Sequence, residues 1–293
     1  MKKVSGRYYN SARMRDVAII GAGELGGLAA YVLARRNAAR AIRLIDEAGR
    51  VAEGKALDIM QAAPVERFST DVSGSTDIAM AAGASVIVMA ERASRGEWPG
   101  DEALIVLERV SRFAPRAVLV CADASHRELV ERGVRELHVP RTRLLGSAPE
   151  ALVAAARAMV ALELDRSPAD VALAVLGVPP RGLVIAWEEA TVAGFAVTRL
   201  IAEPARRRLN DRIAALWPVG PYALAAAAAK IVESLLGGSR RTATCFVAPD
   251  DSAGIRTRAA ALPVRLDERG IVEVLQPTLN VAERVALDNA MLL

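Results

Sequence analysis

The sequence predicts an α/β chain: a doubly wound parallel sheet in its first half and a smaller α+β region after it. Three observations predict this. Val17–Ile20 is a short apolar run that ends in Gly21-Ala22-Gly23-Glu24-Leu25-Gly26, a G-x-G-x-x-G pattern. An Ala/Leu-rich run with helical periodicity follows at 28–34. A second apolar run, Ala41–Ile45, ends at Asp46, 20 positions beyond Gly26. Strand, glycine turn, helix, strand and terminal acid, in that order, form a dinucleotide-binding βαβ unit of Rossmann type.

Each part has its physical task. Gly21 permits the tight turn, Gly23 lets backbone approach a pyrophosphate, and Gly26 lets the helix pack against the strand. The pyrophosphate sits on the positive helix N-terminus, beside Glu24 and Leu25. Asp46 accepts hydrogen bonds from a ribose 2′-OH and repels a 2′-phosphate, which favours NAD over NADP. Ala90 joins this set from the end of a later strand. The expected cofactor contacts are therefore Gly21, Gly23, Glu24, Leu25, Gly26, Asp46 and Ala90. A glycine turn that binds nothing is the alternative.

The rest of the chain reads in order. Residues 1–14 are a basic tail. A helix begins at Gly54 and ends near Pro64, a strand covers 68–73, and a short helix covers 76–82. A strongly apolar strand at 84–90 leads into the charged, Gly/Pro-containing loop 91–101, at the strand edge where open parallel sheets bind ligands. A helix at 102–113 and a strand at 117–121 follow, with Asp123, Ser125 and His126 at the strand exit before a helix at 126–133. A strand at 143–146 closes a dinucleotide-binding domain of residues 15–147. Residues 148–293 form the second domain. It holds helices at 149–163, 204–215, 222–236 and 281–292, strands at 170–176, 242–247, 261–266 and 271–274, and a hairpin made of 183–187 and 190–197.

Composition narrows the function. The chain has 293 residues, 53% hydrophobic, with aromatics at 4%, so Ala and Val fill much of the core. A net charge of +4, from scattered arginines and no nucleic-acid-binding motif, argues against nucleic acid as a partner. Cys121 and Cys245 stand in apolar runs and read as buried hydrophobes. Without a Cys/His cluster, no metal is expected. No signal sequence and no membrane-spanning run is seen, so a cytoplasmic chain is the expectation.

The chain resembles the malate/lactate dehydrogenase family over residues 15–293. The resemblance is carried by Val17-Ala-Ile-Ile-Gly-Ala-Gly-Glu-Leu-Gly-Gly27, by Asp46, and by Gly54-Lys-Ala-Leu-Asp58. Met89-Ala90 stands where the family has Thr-Ala-Gly, and further likeness lies at 190–197, at 222–236 and in the last strands. The resemblance implies a Rossmann fold, NAD as cofactor, and a homo-oligomer, dimer or tetramer, to which the Ala-rich helices 149–163 and 222–236 would contribute packing. It also implies hydride transfer on a 2-hydroxy or 2-keto acid, using a His, an orienting Asp, a carboxylate-binding Arg and a mobile-loop Arg.

Those positions read differently here. The loop motif reads Ser94-Arg-Gly-Glu-Trp-Pro-Gly100, the Asn-Pro motif Asp123-Ala124, the Leu-Asp-x-x-Arg motif Ala151-Leu-Val-Ala-Ala155, and Gly-Gly-His-Gly reads Gly177-Val-Pro-Pro180. The expectation is a relative that keeps NAD but has lost malate and lactate turnover, a pseudoenzyme. The alternative is an NAD oxidoreductase for a different hydroxy or keto substrate. For that chemistry the catalytic candidates are His126, Asp123 and Arg95. The bland reading of His126 is a residue at a helix N-terminus. A small anionic ligand held by Arg95 or Arg181 is also left open. The last helix is shorter than the family's, which implies partial closure over the cleft.

Overall fold

The computed structural model describes residues 15–94, 96, 98, 101–238, 240–250 and 258–292. The basic tail and Arg95 lie outside the described residues. The first half alternates strand and helix: β1 (Val17–Ile20), α1 (Glu24–Arg35), β2 (Ala41–Ile45), α2 (Gly49–Glu66), β3 (Asp71–Ser75), β4 (Val86–Met89), α3 (Glu102–Phe113), β5 (Val118–Cys121), α4 (Arg127–Arg135) and β6 (Leu144–Gly146). Strands β1, β4 and β5 read VAII, VIVM and VLVC, and every residue in them is buried. Such continuous apolar strands need cover on both faces, which a parallel sheet with helices on each side provides. The observed order is β3-β2-β1-β4-β5-β6, all parallel. The order reverses beside β1, so the ends of β1 and β4 frame the crevice where doubly wound sheets bind ligands.

The second half comprises α5 (Ala148–Glu163), β7 (Val171–Ala172), β8 (Val175–Val178), β9 (Gly182–Ile185), β10 (Thr191–Val192), β11 (Phe195–Ala196), α6 (Val197–Leu200), α7 (Glu203–Ala214), α8 (Pro221–Gly237), β12 (Thr242–Val247), β13 (Ala260–Asp267), β14 (Gly270–Val274) and α9 (Val281–Ala290). Its strands continue the first sheet. β12 lies antiparallel to β6 through Phe246 opposite Gly146, and β13, β8 and β9 follow. Gly146 is required there, because an added Cβ would stand 2.9 Å from the Phe246 Cβ.

Several boundaries differ from the sequence reading. The expected hairpin between 183–187 and 190–197 is not formed. β9 turns back onto β8, while 190–197 makes its own hairpin at Ala193-Gly194, both at positive φ, and pairs with β7. The expected strand 170–176 is split between these two sheets as β7 and β8. Helix α2 starts at Gly49 rather than Gly54, because the Asp46 carboxylate accepts from the Ala48 N–H at 2.8 Å and fixes the chain's entry. That bond depends on tertiary placement, which no helix propensity records. α2 ends at Arg67, in the left-handed region at φ 61°.

The Ala-rich helices pack extensively inside the chain. Ala225, Ala228, Ala229 and Val232 of α8 pack in one core with Leu25, Ala29, Leu33 and Ala34 of α1. Ala151 of α5 belongs to the same core, and Leu152, Ala156 and Val160 pack under β8 and β9. Small side chains let helices and sheet approach closely, which is how a chain poor in aromatics fills its interior.

Candidate functional site

β1, α1, β2 and β4 converge on the glycine turn. Gly21 has φ +102°, and an added Cβ would meet the Glu91 carbonyl oxygen at 2.4 Å, so the turn is open only to glycine. Gly26 packs α1 onto the turn: its added Cβ would lie 2.0 Å from the Gly21 carbonyl oxygen. These are the tasks the sequence assigned to both residues. Leu25 is buried, Ala90 is fully buried, and Glu24 is exposed in the first turn of α1.

Four backbone N–H groups of the turn are already engaged. Gly21 N–H donates to the Ile45 carbonyl at 2.8 Å, and Gly23 N–H to the Glu91 carbonyl at 3.1 Å. Ala22 N–H donates to Asp46 Oδ2 at 2.8 Å, and Leu25 N–H to Glu91 Oε1 at 2.6 Å. An added Cβ on Gly23 would fall 2.3 Å from Glu91 Oε1. The Glu91 side chain thus lies across the second glycine and onto the N-terminus of α1, where backbone donors and the helix dipole favour an anion.

The fit to a dinucleotide follows from this stand-in. A carboxylate of the chain itself occupies the cradle, so the donor set accepts an anionic group, and the bare Cα of Gly23 supplies the room. The cradle fits a pyrophosphate with Glu91 withdrawn. Lys55 adds a positive charge beside it, donating from Nζ to the Gly23 carbonyl at 2.6 Å. Glu91 Oε2 is buried with no hydrogen-bond partner among the described residues. Burial raises the Glu91 pKa above its ordinary value, opposed by the bond from Leu25 and by Lys55 and reinforced by the Asp123 charge.

Asp46 lies at the end of β2, as expected, but its carboxylate is a staple. Oδ2 accepts from Ala22 N–H and from Ala93 N–H at 2.9 Å, and Oδ1 accepts from Ala48 N–H. The residue is 4% exposed. It ties the glycine turn, the loop after β4 and the entry to α2 together. Oδ1, with one donor, keeps acceptor capacity for a further hydroxyl.

The described residues of the loop after β4 fold back onto the end of that strand. Arg92 and Gly96 exchange backbone hydrogen bonds, and Trp98 Nε1 donates to the Ala90 carbonyl at 2.7 Å. The buried Arg92 guanidinium lies 5.0 Å from the Trp98 ring centroid and pairs with Glu102 at 2.7 Å. The sequence reading missed Glu91. The signal was available: it follows Met89-Ala90 at the place of the glycine in Thr-Ala-Gly.

His126 and Asp123 are neighbours, but their carboxylate and imidazole do not bond. The Asp123 carboxylate accepts from Ser125 N–H and Oγ at 2.8 and 2.7 Å, and His126 Nδ1 accepts from the Asp123 N–H at 3.3 Å. This is a capping box that precedes α4. Burial lowers the His126 pKa below 6.5, and the Asp123 charge partly offsets it. A histidine with a depressed folded pKa leaves the unfolded chain binding more protons as pH falls below 6.5, so stability drops in that direction. Thermal unfolding at pH 5.5 and 7.5 is expected to show a larger acid-side loss in the parent chain than in His126→Asn. An equal loss in both would remove His126 as a source. Glu91 has the opposite sign, its raised pKa favouring the fold below 4.5 and losing that contribution as pH rises.

Other singled-out residues lie apart. His138 and Arg181 are exposed, and Pro179 is buried at the exit of β8. Cys121 and Cys245 are buried in their strands, and burial pushes the Cys121 thiol up to about 12. Among the described residues, no group of three or more His, Cys, Asp or Glu is placed to hold a metal, and no helix is long and apolar enough to cross a membrane.

Comparison with known proteins gives a consistent relationship. Residues 15–104 match the NAD binding domain of lactate/malate dehydrogenase. The malate dehydrogenase of Thermomicrobium roseum is 30% identical over 290 residues, covering 93% of this chain and 94% of that protein. That of Chloroherpeton thalassium is 28% identical over 291 residues, covering 92% and 93%. Among solved structures, malate dehydrogenase from Salinibacter ruber superimposes with a TM-score of 0.84 at 24% identity, covering 94% of this chain and 93% of that one. Lactate dehydrogenase from Cryptosporidium parvum, complexed with lactic acid and nicotinamide adenine dinucleotide, gives 0.85 at 23% identity, covering 94% of each chain.

Proposed function

This chain belongs to the lactate/malate dehydrogenase family, with residues 15–104 as its NAD-binding domain; from that premise we propose that it binds a nicotinamide dinucleotide without turning over malate or lactate. What supports this reading is the apolar character of the residues that the sequence motifs place at the family's acid/base positions. The segment aligned with Gly-Gly-His-Gly leaves β8 as Gly177-Val178-Pro179-Pro180, which offers no titratable proton. Leu152, aligned with the orienting Asp, is fully buried in a cluster with Val175, Ile185 and Trp187. Ala155 stands where the carboxylate-binding Arg is expected.

A bound nicotinamide dinucleotide supplies a hydride donor or acceptor. The turn Gly21–Gly26 and the N-terminus of α1 would hold its diphosphate, and Asp46 Oδ1 a ribose hydroxyl. The proton and the substrate carboxylate then lack their usual partners. Loss of general acid/base help costs about 10²–10⁴-fold in rate, and loss of a charged hydrogen bond to a carboxylate adds about 1.5–3 kcal/mol.

NADH oxidation in the presence of oxaloacetate or pyruvate is expected to run at least about 10³-fold below an ordinary dehydrogenase. Turnover at typical rates would refute the reading. The near-complete span of the match to malate dehydrogenases favours a second one, an oxidoreductase for another hydroxy or keto compound. A screen of such compounds that returns a substrate, with its rate collapsing in His126→Ala, would establish that instead.

A further inference from the structure

The glycine turn is closed by the chain's own carboxylate, and this has a consequence for how a dinucleotide enters. We propose that Glu91 is an internal occupant of the diphosphate seat: its carboxylate caps α1 in the free protein and leaves when the dinucleotide diphosphate takes its place. The inference rests on the cofactor reading above.

Three geometric facts carry it. Glu91 Oε1 takes the Leu25 N–H at the positive end of α1, a donor that a bound phosphate oxygen would use. The side chain crosses Gly23 closely enough that its Cγ, Cδ and Oε1 all lie within 2.6 Å of where a Cβ would stand, so the same volume cannot hold a diphosphate at the same time. The Glu91 carbonyl meanwhile accepts the Gly23 N–H and keeps this residue's backbone at the turn, so departure of the carboxylate frees the Leu25 N–H. The displaced group is itself anionic, so its departure also removes the repulsion a diphosphate would meet.

The occupant is also loosely secured. Its Oε2 is buried without a partner among the described residues, an uncompensated cost that displacement relieves. The charged groups facing it are Lys55 from α2, whose Nζ bonds the Gly23 carbonyl, and Asp123 beyond β5, whose like charge disfavours the ionised form. The raised pKa means that the closed seat holds the protonated carboxyl better than the ionised one, so the latch holds more firmly as pH falls and loosens as pH rises.

The test is NADH titration by fluorescence on the full chain at pH 6 and pH 8, in parent, Glu91→Ala and Glu91→Gln. Adenosine, which has no phosphate, is titrated by calorimetry alongside. Thermal unfolding of each variant verifies its fold, and the isosteric glutamine retains the packing should alanine destabilise the cap. The expected result is NADH binding at least tenfold tighter in both variants than in the parent at pH 8, a gap no smaller at pH 6, and adenosine affinity unchanged. Equal NADH affinity in all three folded chains at both pH values would overturn the latch and leave the cofactor reading standing. Absence of NADH binding in every folded variant would overturn the cofactor reading, and the latch with it.

Discussion

Asp46→Ala is expected to lower the unfolding free energy by about 3–5 kcal/mol, because three backbone N–H groups lose a shared ionised acceptor. Hydrogen bonds to a charged group are each worth about 1.5–3 kcal/mol net, and buried donors left unpaired add their desolvation cost. Water reaching the cavity limits the sum. For a chain of this size the loss corresponds to a fall in Tm of about 5–8 °C, readable by calorimetry. Asp46→Asn is the informative companion. Its carbonyl oxygen can serve one side of the staple, but its NH2 group would face donors on the other, so the loss should be intermediate. A change in ribose affinity with no change in Tm would mean that the carboxylate is a ligand group held free, and would contradict the staple.

Two adjacent glycines separate packing necessity from helix propensity. Gly26→Ala is expected to cost about 3 kcal/mol or more, because the new Cβ meets the Gly21 carbonyl oxygen at 2.0 Å and backbone cannot rotate away. α1 must slide off the turn, and NADH binding should be lost with it. Gly27→Ala, one residue on, meets only the Lys55 side chain, with Cδ at 3.2 Å and Nζ at 3.4 Å. That chain is flexible, and alanine recovers about 1 kcal/mol of helix propensity over glycine. The net change in Tm should be small. Equal losses at both positions would show that the turn, rather than the single contact, is what tolerates no side chain.

The fold was legible because its signals are local and repeated. Apolar runs at 17–20, 86–89 and 118–121 are long enough to be buried strands, and the helices between them show their periodicity. The helix 102–113 was read to its exact ends. The hairpin at 183–197 was misread because two short strands adjacent in sequence found different partners, β8 and β7. Pairing partners of two- to four-residue strands are decided by distant chain, which a local pattern cannot hold.

The site was legible in part. Gly21 and Gly26 were assigned from spacing, and their contacts agree with the tasks given. His126 and Asp123, three residues apart in sequence, were a plausible pair, yet local geometry spends both on capping the 3-10 turn at 124–126 that leads into α4. Glu91 went unread although its place after Met89-Ala90 marked it, and the role of Asp46 could not be resolved from sequence, because a carboxylate near a glycine turn can face solvent, ligand or backbone donors.

What the sequence determined by itself is the dinucleotide half: the order of strands, the glycine turn and the family, all written in short-range patterns that any folded copy must satisfy. What only the tertiary structure decided is the state of that half. Backbone donors of the turn are strong and must be paired, and the nearest acceptors the fold delivers are the chain's own, Asp46 from the end of β2 and Glu91 from the end of β4. Which acceptor meets which donor depends on the relative placement of two strands 40 residues apart in sequence, set by the packing of the sheet rather than by either segment alone.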